Sequence, residues 1–344
     1  MVTLIHLANN LGTPNSLVRI AVVIPCFRVT LHVLDVIARI GMEVSRIYVV
    51  DDACPDKSGN HVEKICTDTR VVVLRNKINL GVGGAVLAGY QAAIADGAEI
   101  IVKIDGDGQM DPVLLSRFVA PILNGQADYT KGNRFYDLAN IGNMPTVRLF
   151  GNAVLSFMTK LSSGYWSVFD PTNGYTAIHA KVAAHLPMDK ISNRYFFETD
   201  MLFRLNTLRA VVVDIPMDAH YGDGKSNLRI SKILVEFLGK HTRNFTKRIF
   251  YNYFLRDMTL ASIELLVGAA MLSFGVIFGG VSWINSVISN TATPLGTIML
   301  AALPVLLGIQ FLLAFLGFDI ANVPKRPIHN DLPDKLREKK DVKV

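Results

Sequence analysis

Lys103-Ile-Asp-Gly-Asp-Gly-Gln-Met-Asp-Pro112 follows directly on the apolar run Ile100-Ile-Val102. A strand ending there sets the Asp105 and Asp107 carboxylates on either side of one glycine, where the backbone turns sharply. Hard oxygen ligands in that arrangement suit Mg²⁺ or Mn²⁺, and such ions usually arrive holding a phosphate. A divalent ion bridging a diphosphate neutralises charge on a departing nucleotide, which is what sugar transfer from a nucleotide donor requires. An Asp/Gly turn that merely closes a strand has the same composition. The surrounding chain decides between the two.

Outward from this turn, residues 20–104 alternate strands and helices. Ile20-Ala-Val-Val-Ile24 is a short apolar run closed by Pro25, and Arg46-Ile-Tyr-Val-Val50 ends in Asp51-Asp52. Val71-Val-Val-Leu74 and Glu99–Ile104 are the next strands, with helical periodicity over Leu31–Ile40, Ser58–Cys66 and Gly83–Ala95. That alternation predicts an α/β domain with right-handed crossovers and a mostly parallel, Rossmann-like sheet. Ligands in such sheets bind beyond the carboxyl ends of the strands. Pro25, Asp52 and the pair Asp105/Asp107 all fall there. Asp52 suits the N–H of a uracil or guanine, or a ribose hydroxyl. Asn79-Leu-Gly-Val-Gly-Gly-Ala85 opens a helix with glycines, so backbone N–H groups around Gly81 can approach a diphosphate. A dinucleotide fold needs its glycine turn after the first strand and an acid about 20 positions on, and here that order is reversed.

The composition is divided. Of 344 residues half are hydrophobic, with the excess after residue 257. Residues 225–344 hold 15 Lys and Arg against 8 Asp and Glu, whereas residues 1–224 are near neutral. A near-neutral globular part followed by a basic, apolar part points to a membrane surface rather than to nucleic acid. Met258–Ile284 and Thr293–Phe318 are each long enough to cross a hydrocarbon core of ~30 Å. The connection between them has no Lys or Arg, and basic residues such as Arg243, Lys247, Arg248, Lys325 and Arg326 flank the pair. The positive-inside rule therefore predicts both ends of the hairpin in the cytoplasm, and the globular domain with them. Residues 228–257 mix basic and apolar positions at spacings of three and four. They are expected as amphipathic helices in the headgroup layer, against the alternative of a helix packed on the globular domain. The three cysteines (Cys26, Cys54, Cys66) lack metal-ligand spacing and fit a reducing compartment. The first 17 residues show no signal-peptide pattern.

Val22-Val-Ile-Pro-Cys-Phe27, Val49-Val-Asp-Asp52, Asn79-Leu-Gly-Val-Gly-Gly84, Asp105-Gly-Asp-Gly-Gln109 and Asp170-Pro-Thr-Asn-Gly-Tyr175 occur in the order seen in family 2 glycosyltransferases. Within these the chain resembles the polyprenyl-phosphate glycosyltransferases, such as dolichol-phosphate mannose synthase and bacterial undecaprenyl-phosphate sugar transferases. The resemblance implies a GT-A fold and inverting, metal-dependent hexosyl transfer from a UDP- or GDP-sugar to a polyprenyl phosphate. It implies that Asp105, Asp107 and Gln109 hold Mg²⁺ or Mn²⁺ and the donor diphosphate, and that Pro25 and Asp52 line the nucleotide pocket. Arg134, in Gly132-Asn-Arg134, and Arg148 would take the lipid phosphate, although Asn133 replaces the family's serine. Asp170 and Asn173 would sit near the sugar, and Lys225-Ser226 would close over the donor phosphates. Glu198 and Asp200 form a second acidic pair that is either a substrate contact or a solvated helix start.

The expected organisation is a cytoplasmic catalytic domain (1–227), interface helices (228–257), two membrane helices (258–320) and a basic cytoplasmic tail (321–344). Neither Trp166 nor Trp283 follows an arginine, which counts against a processive polysaccharide synthase. A transferase acting on a lipid-linked oligosaccharide, or a non-catalytic nucleotide-sugar binder, are the alternatives. Whether the chain forms a homo-oligomer is left open.

Overall fold

The computed structural model describes residues 18–136, 146–218 and 230–333, with the side chains of 146–149 and 230–234 outside that description. The strands are β1 (Ile20–Cys26), β2 (Val44–Asp51), β3 (Val71–Arg75), β4 (Ile100–Lys103), β5 (Tyr129–Asn133), β6 (Thr176–His179) and β7 (Val212–Pro216). They form one sheet in the order β3-β2-β1-β4-β6-β5-β7. Only β6 runs against its neighbours β4 and β5; the remaining pairings are parallel. This is the mostly parallel α/β sheet expected from the sequence.

Every residue of β1 is buried, which is why its apolar run shows no alternation. Val22 and Ile24 face a layer containing Val36 of α1 (Val33–Ala38) and Phe118 of α4 (Leu115–Leu123). Ala21 and Val23 face the opposite layer, with Tyr90 of α3 (Val82–Ala95) and Met201 of α7 (Phe197–Leu208). Pro25 is tolerated in this central strand because β4 pairs only as far as Val23, so no ladder partner remains on that side. Arg28, Ala53 and Lys57 take left-handed backbone just beyond β1 and β2, so the carboxyl rim of the sheet is where the chain is most contorted. The antiparallel β6 begins, rather than ends, at this rim. Thr176 is opposite Lys103, and the preceding loop 170–175 therefore stands beside the Asp105 turn.

Two later helices are long and apolar enough to cross a membrane, α9 (Leu260–Ser289) and α10 (Leu295–Ala321). Their outer faces are exposed, Trp283 by 71% and Ile288 by 78%, unlike the core helix of a soluble protein. Glycines line their seam. A Cβ at Gly268 would lie 3.1 Å from the Gly308 carbonyl, and one at Gly275 2.7 Å from the Ala301 carbonyl. Close backbone approach of this kind is how apolar helices associate where lipid removes the hydrophobic drive. Both helices extend beyond the spans expected from composition, which ended at Ile284 and Phe318. In α10 the extension takes in Asp319, whose charge is met by Arg248.

Arg248 lies on α8 (Ile230–Phe250), which continues into a π-helical turn at Tyr251–Arg256. α8 crosses α5 (Thr146–Ser163) and α7, so one of its faces packs on the globular domain. That face is polar: His241, Asn244 and Arg248 are all buried. Arg248 was among the basic flanking residues by composition, yet it is 1% exposed. Its guanidinium donates to both oxygens of Asp319, at 2.6 and 3.0 Å. Tyr253 Oη and Trp166 Nε1 donate to the same carboxylate. Beyond α10 the chain returns to the globular domain: the Asp128 carboxylate accepts the Ile328 and His329 amides and bonds His329 Nδ1.

Candidate active site

Sequence places Asp105 and Asp107 on the turn after β4, and the structure sets one buried lysine against Asp105. Lys103, the last residue of β4, is buried, with Nζ 2.9 Å from Asp105 Oδ1 and 3.5 Å from Glu198 Oε1 on the first turn of α7. Burial alone would lower the Lys103 pKa, but the two carboxylates outweigh it and hold the ammonium charged. Asp107 Oδ1 accepts the Gln109 amide at 3.0 Å, closing the turn. Burial, with the Asp105 charge adding to it, pushes the Asp107 carboxyl above its ordinary range. Gly174 packs against this corner; a Cβ there would stand 2.7 Å from Asp105 Oδ2, so the turn and loop 170–175 meet without a side chain between them.

The second half of the site centres on Asp170, whose side chain is fully buried. Arg134 Nε donates to Asp170 Oδ2 at 2.8 Å and Nη2 donates to Oδ1 at 3.1 Å, a fork that fixes the guanidinium plane. Burial would raise the Asp170 pKa, but Arg134 and then Lys131 hold it below the usual carboxylate range. Lys131 is itself buried and donates to the Asn173 carbonyl. Burial pushes its pKa down to about 8. Asp214 on β7 accepts the Phe169 amide at 2.9 Å, and burial pushes it up to about 6. Thus Asp170, expected beside the sugar, orients Arg134, and Asn173 is brought next to both.

Asp52 also organises the backbone beside it. Its Oδ1 accepts the Leu80 amide and Asn76 Nδ2, and its Oδ2 accepts the Gly81 amide at 2.7 Å. The carboxylate therefore holds the glycine loop before α3. Gly81 needs its glycine, since φ is +91° and a Cβ would meet the Asn193 carbonyl at 2.7 Å. Its N–H donates to Asp52. Lys225, Ser226 and the side chain of Arg148 lie outside the described residues. Lys103, Lys131 and Asp214 were not picked out from sequence. The signal was there in the two lysines, each a lone cation in an otherwise uncharged strand on the rim side of the sheet.

The donor set can be tested against a divalent cation. Among the described residues no group of three or more His, Cys, Asp or Glu converges on one point. The turn supplies two carboxylates of hard oxygen, and Lys103 already covers one oxygen of Asp105. That is too few ligands for a protein-only cage but fits Mg²⁺ or Mn²⁺ completed by water and substrate phosphates. The two carboxylates of the turn fit the ion in that sense.

Residues 21–186 match the family described as glycosyl transferase family 2. An undecaprenyl-phosphate mannosyltransferase of Micrococcus luteus is 31% identical over 175 residues, covering 50% of this chain and 71% of the relative. The chain belongs to glycosyltransferase family 2. A UDP-N-acetylglucosamine–dolichyl-phosphate N-acetylglucosaminyltransferase of Methanococcus voltae is 29% identical over 168 residues, covering 49% of this chain and 66% of the relative. Glucosyl-3-phosphoglycerate synthase of Mycobacterium tuberculosis, solved with Mn²⁺, UDP and phosphoglyceric acid, aligns over 70% of this chain and 80% of its own at 17% identity, with a TM-score of 0.47. As a family 2 glycosyltransferase related to enzymes named for polyprenyl-phosphate acceptors, the chain is a transferase whose acidic and glycine motifs map onto one rim of one sheet.

Proposed function

We propose that this glycosyltransferase moves one sugar from a UDP- or GDP-sugar to a polyprenyl phosphate, undecaprenyl phosphate being the expected lipid, with inversion at the anomeric carbon. The observation that carries the reading is the Arg134–Asp170 fork, set on the same rim as the Asp105–Asp107 turn and on a domain fastened to an apolar hairpin. A phosphate monoester has a second pKa near ~6, so the acceptor is largely ionised and needs little help from a base. What it needs is fixed positive charge and alignment. Arg134, with its guanidinium plane set by Asp170, supplies part of that, and Arg148 on the first turn of α5 is assigned the rest. Mg²⁺ or Mn²⁺ bound by Asp105, Asp107 and Gln109 supplies charge neutralisation on the leaving diphosphate. Lys103 holds Asp105 in place through its ion pair, while Lys225 and Ser226 are assigned to the donor phosphates.

We place residues 1–227 as a cytoplasmic catalytic domain, 228–257 as the membrane-interface segment, 258–320 as the hairpin and 321–344 as a cytoplasmic tail. Support comes from the uncharged connection between α9 and α10 and from the attachment of both hairpin ends to the same domain. The test is transfer by the purified protein with undecaprenyl phosphate and a panel of UDP-, GDP- and dTDP-sugars. Product with one nucleotide-sugar and no product without the lipid phosphate is expected. Transfer only to a lipid-linked oligosaccharide would overturn the acceptor.

A further inference from the structure

Away from the rim carboxylates, α7 and α8 enclose a cavity of about 380 Å³. Phe203, Arg204 and Leu208 of α7 line it, with Lys247, Phe250 and Tyr251 across from them. Glu198 and Thr207 are nine positions apart on α7, or ~13 Å at 1.5 Å per residue, so the cavity is separate from the donor site. Arg256 touches two of the lining residues, donating to the Thr207 carbonyl with its guanidinium 4.9 Å from the Tyr251 ring centre.

Two cations, Arg204 and Lys247, thus line the cavity, and a third, Arg256, contacts its wall at Thr207 and Tyr251. Arg204 Nε and Arg256 Nη1 are buried and have no hydrogen-bond partner among the described residues. The nearest carboxylate, Asp200, is 4.0 Å from Arg204 Nε, and its oxygens already serve Asn244 Nδ2 and the Ser192 amide. Lys247 is solvent-exposed and makes no ion pair among the described residues, with the like charges of Arg243 and Arg204 nearby. Buried donors without acceptors are costly, so a site of this kind gains from an anion. Half of the lining residues are apolar, and Phe250 and Tyr251 are 56% and 42% exposed, ten and nine residues before α9 begins.

We propose that this cavity binds one anionic phospholipid, its headgroup phosphate on Arg204, Lys247 and Arg256 and its acyl chain along Leu208 and Phe250. The proposal rests on the reading that α9 and α10 are membrane-inserted, which puts the cavity at the boundary of polar and apolar phases. A free phosphate would use the cations but leave the aromatic wall without purpose. One headgroup bridging α7, α8 and the π-helical turn would clamp the seam between the catalytic domain and the hairpin.

The experiment is native mass spectrometry of the full-length chain extracted in neutral detergent, with phosphatidylglycerol and phosphatidylcholine added in equal amounts. Retention of one phosphatidylglycerol per chain, about tenfold over phosphatidylcholine, is expected. Lys247 is solvent-exposed, so Lys247→Gln should fold normally and reduce retention about fivefold, the effect of removing one interfacial cation. Lys247→Arg should restore it, and millimolar inorganic phosphate should leave it unchanged. Equal retention of the two lipids, an unchanged Lys247→Gln, or displacement by inorganic phosphate would overturn the site. A chain recovered in the soluble fraction without detergent refutes the membrane reading and the site together; a membrane-extracted chain that keeps no phosphatidylglycerol refutes the site alone.

Discussion

Asp319, near the end of α10, grips Arg248 of α8 through both carboxylate oxygens, and both side chains are almost completely buried. Removing one partner of such a pair strands the other charge, at a cost of about 3–5 kcal/mol, whereas an apolar pair of similar volume is tolerated far better. Asp319→Ala should therefore lower the midpoint of thermal unfolding in detergent sharply. The double variant Arg248→Met with Asp319→Leu should recover much of the loss. A double variant as unstable as the sum of the two single ones would show that the pair is not the coupling element.

Asp52 should behave as an organiser of the glycine loop. Asp52→Ala leaves the Leu80 and Gly81 amides without their acceptor, each worth roughly 1–3 kcal/mol when buried. Amide exchange at Leu80 and Gly81 should accelerate in that variant without any nucleotide present. Unchanged protection, with only donor affinity reduced, would return Asp52 to the nucleotide pocket.

For the acidic turn, Asp107→Ala should abolish metal-dependent transfer while leaving extraction from membranes and thermal stability unaltered. Full activity of the native enzyme in excess EDTA would remove the metal from the reaction.

The fork between Arg134 and Asp170 depends on a planar guanidinium, which lysine lacks. Arg134→Lys should reduce kcat/KM for the lipid phosphate about tenfold or more, the worth of one charge-assisted hydrogen bond. Donor affinity, measured by titration with the nucleotide-sugar, should change little. Arg148→Ala should raise the acceptor KM in the same way.

Acid should loosen the return of the chain after α10. His179 stacks on His329 with ring centres 4.5 Å apart, and burial, with His329 and Lys181 adding to it, pushes the His179 pKa down to about 4. An unfolded histidine titrates near ~6.5, so the unfolded state binds the proton first. The stabilising contribution is complete above that value and is lost as pH falls towards 4. Amide exchange at Ile328 and His329 should rise across this window, and His179→Asn should flatten the dependence.

Much of this was written in local pattern. The β-branched runs at Ile20–Ile24 and Ile100–Val102 could be buried only in a two-sided sheet, and acids directly after such runs must lie at its rim. The reversal of β6 left no local trace, because Thr176–His179 is too short to show direction. Partners distant in sequence were equally hidden. Asp52 and Leu80 are 28 positions apart and Asp128 and His329 201 apart. A carboxylate that caps backbone amides has the same letter as one that meets a ligand. Asp319 sat beyond a run defined by lacking charge, so the pattern that found the helix also concealed its anchor.

Arg248 on Asp319 and Asp128 on the Ile328–His329 backbone hold the hairpin at two places that share no residue. The catalytic domain is consequently not a body on a leash, whose reach would follow from linker length. Its rim is tied to the base of the hairpin at both clasps, and loosening either alone leaves the other in place. An acceptor headgroup must be delivered to a fixed address, and the polyprenyl chain behind it does the travelling.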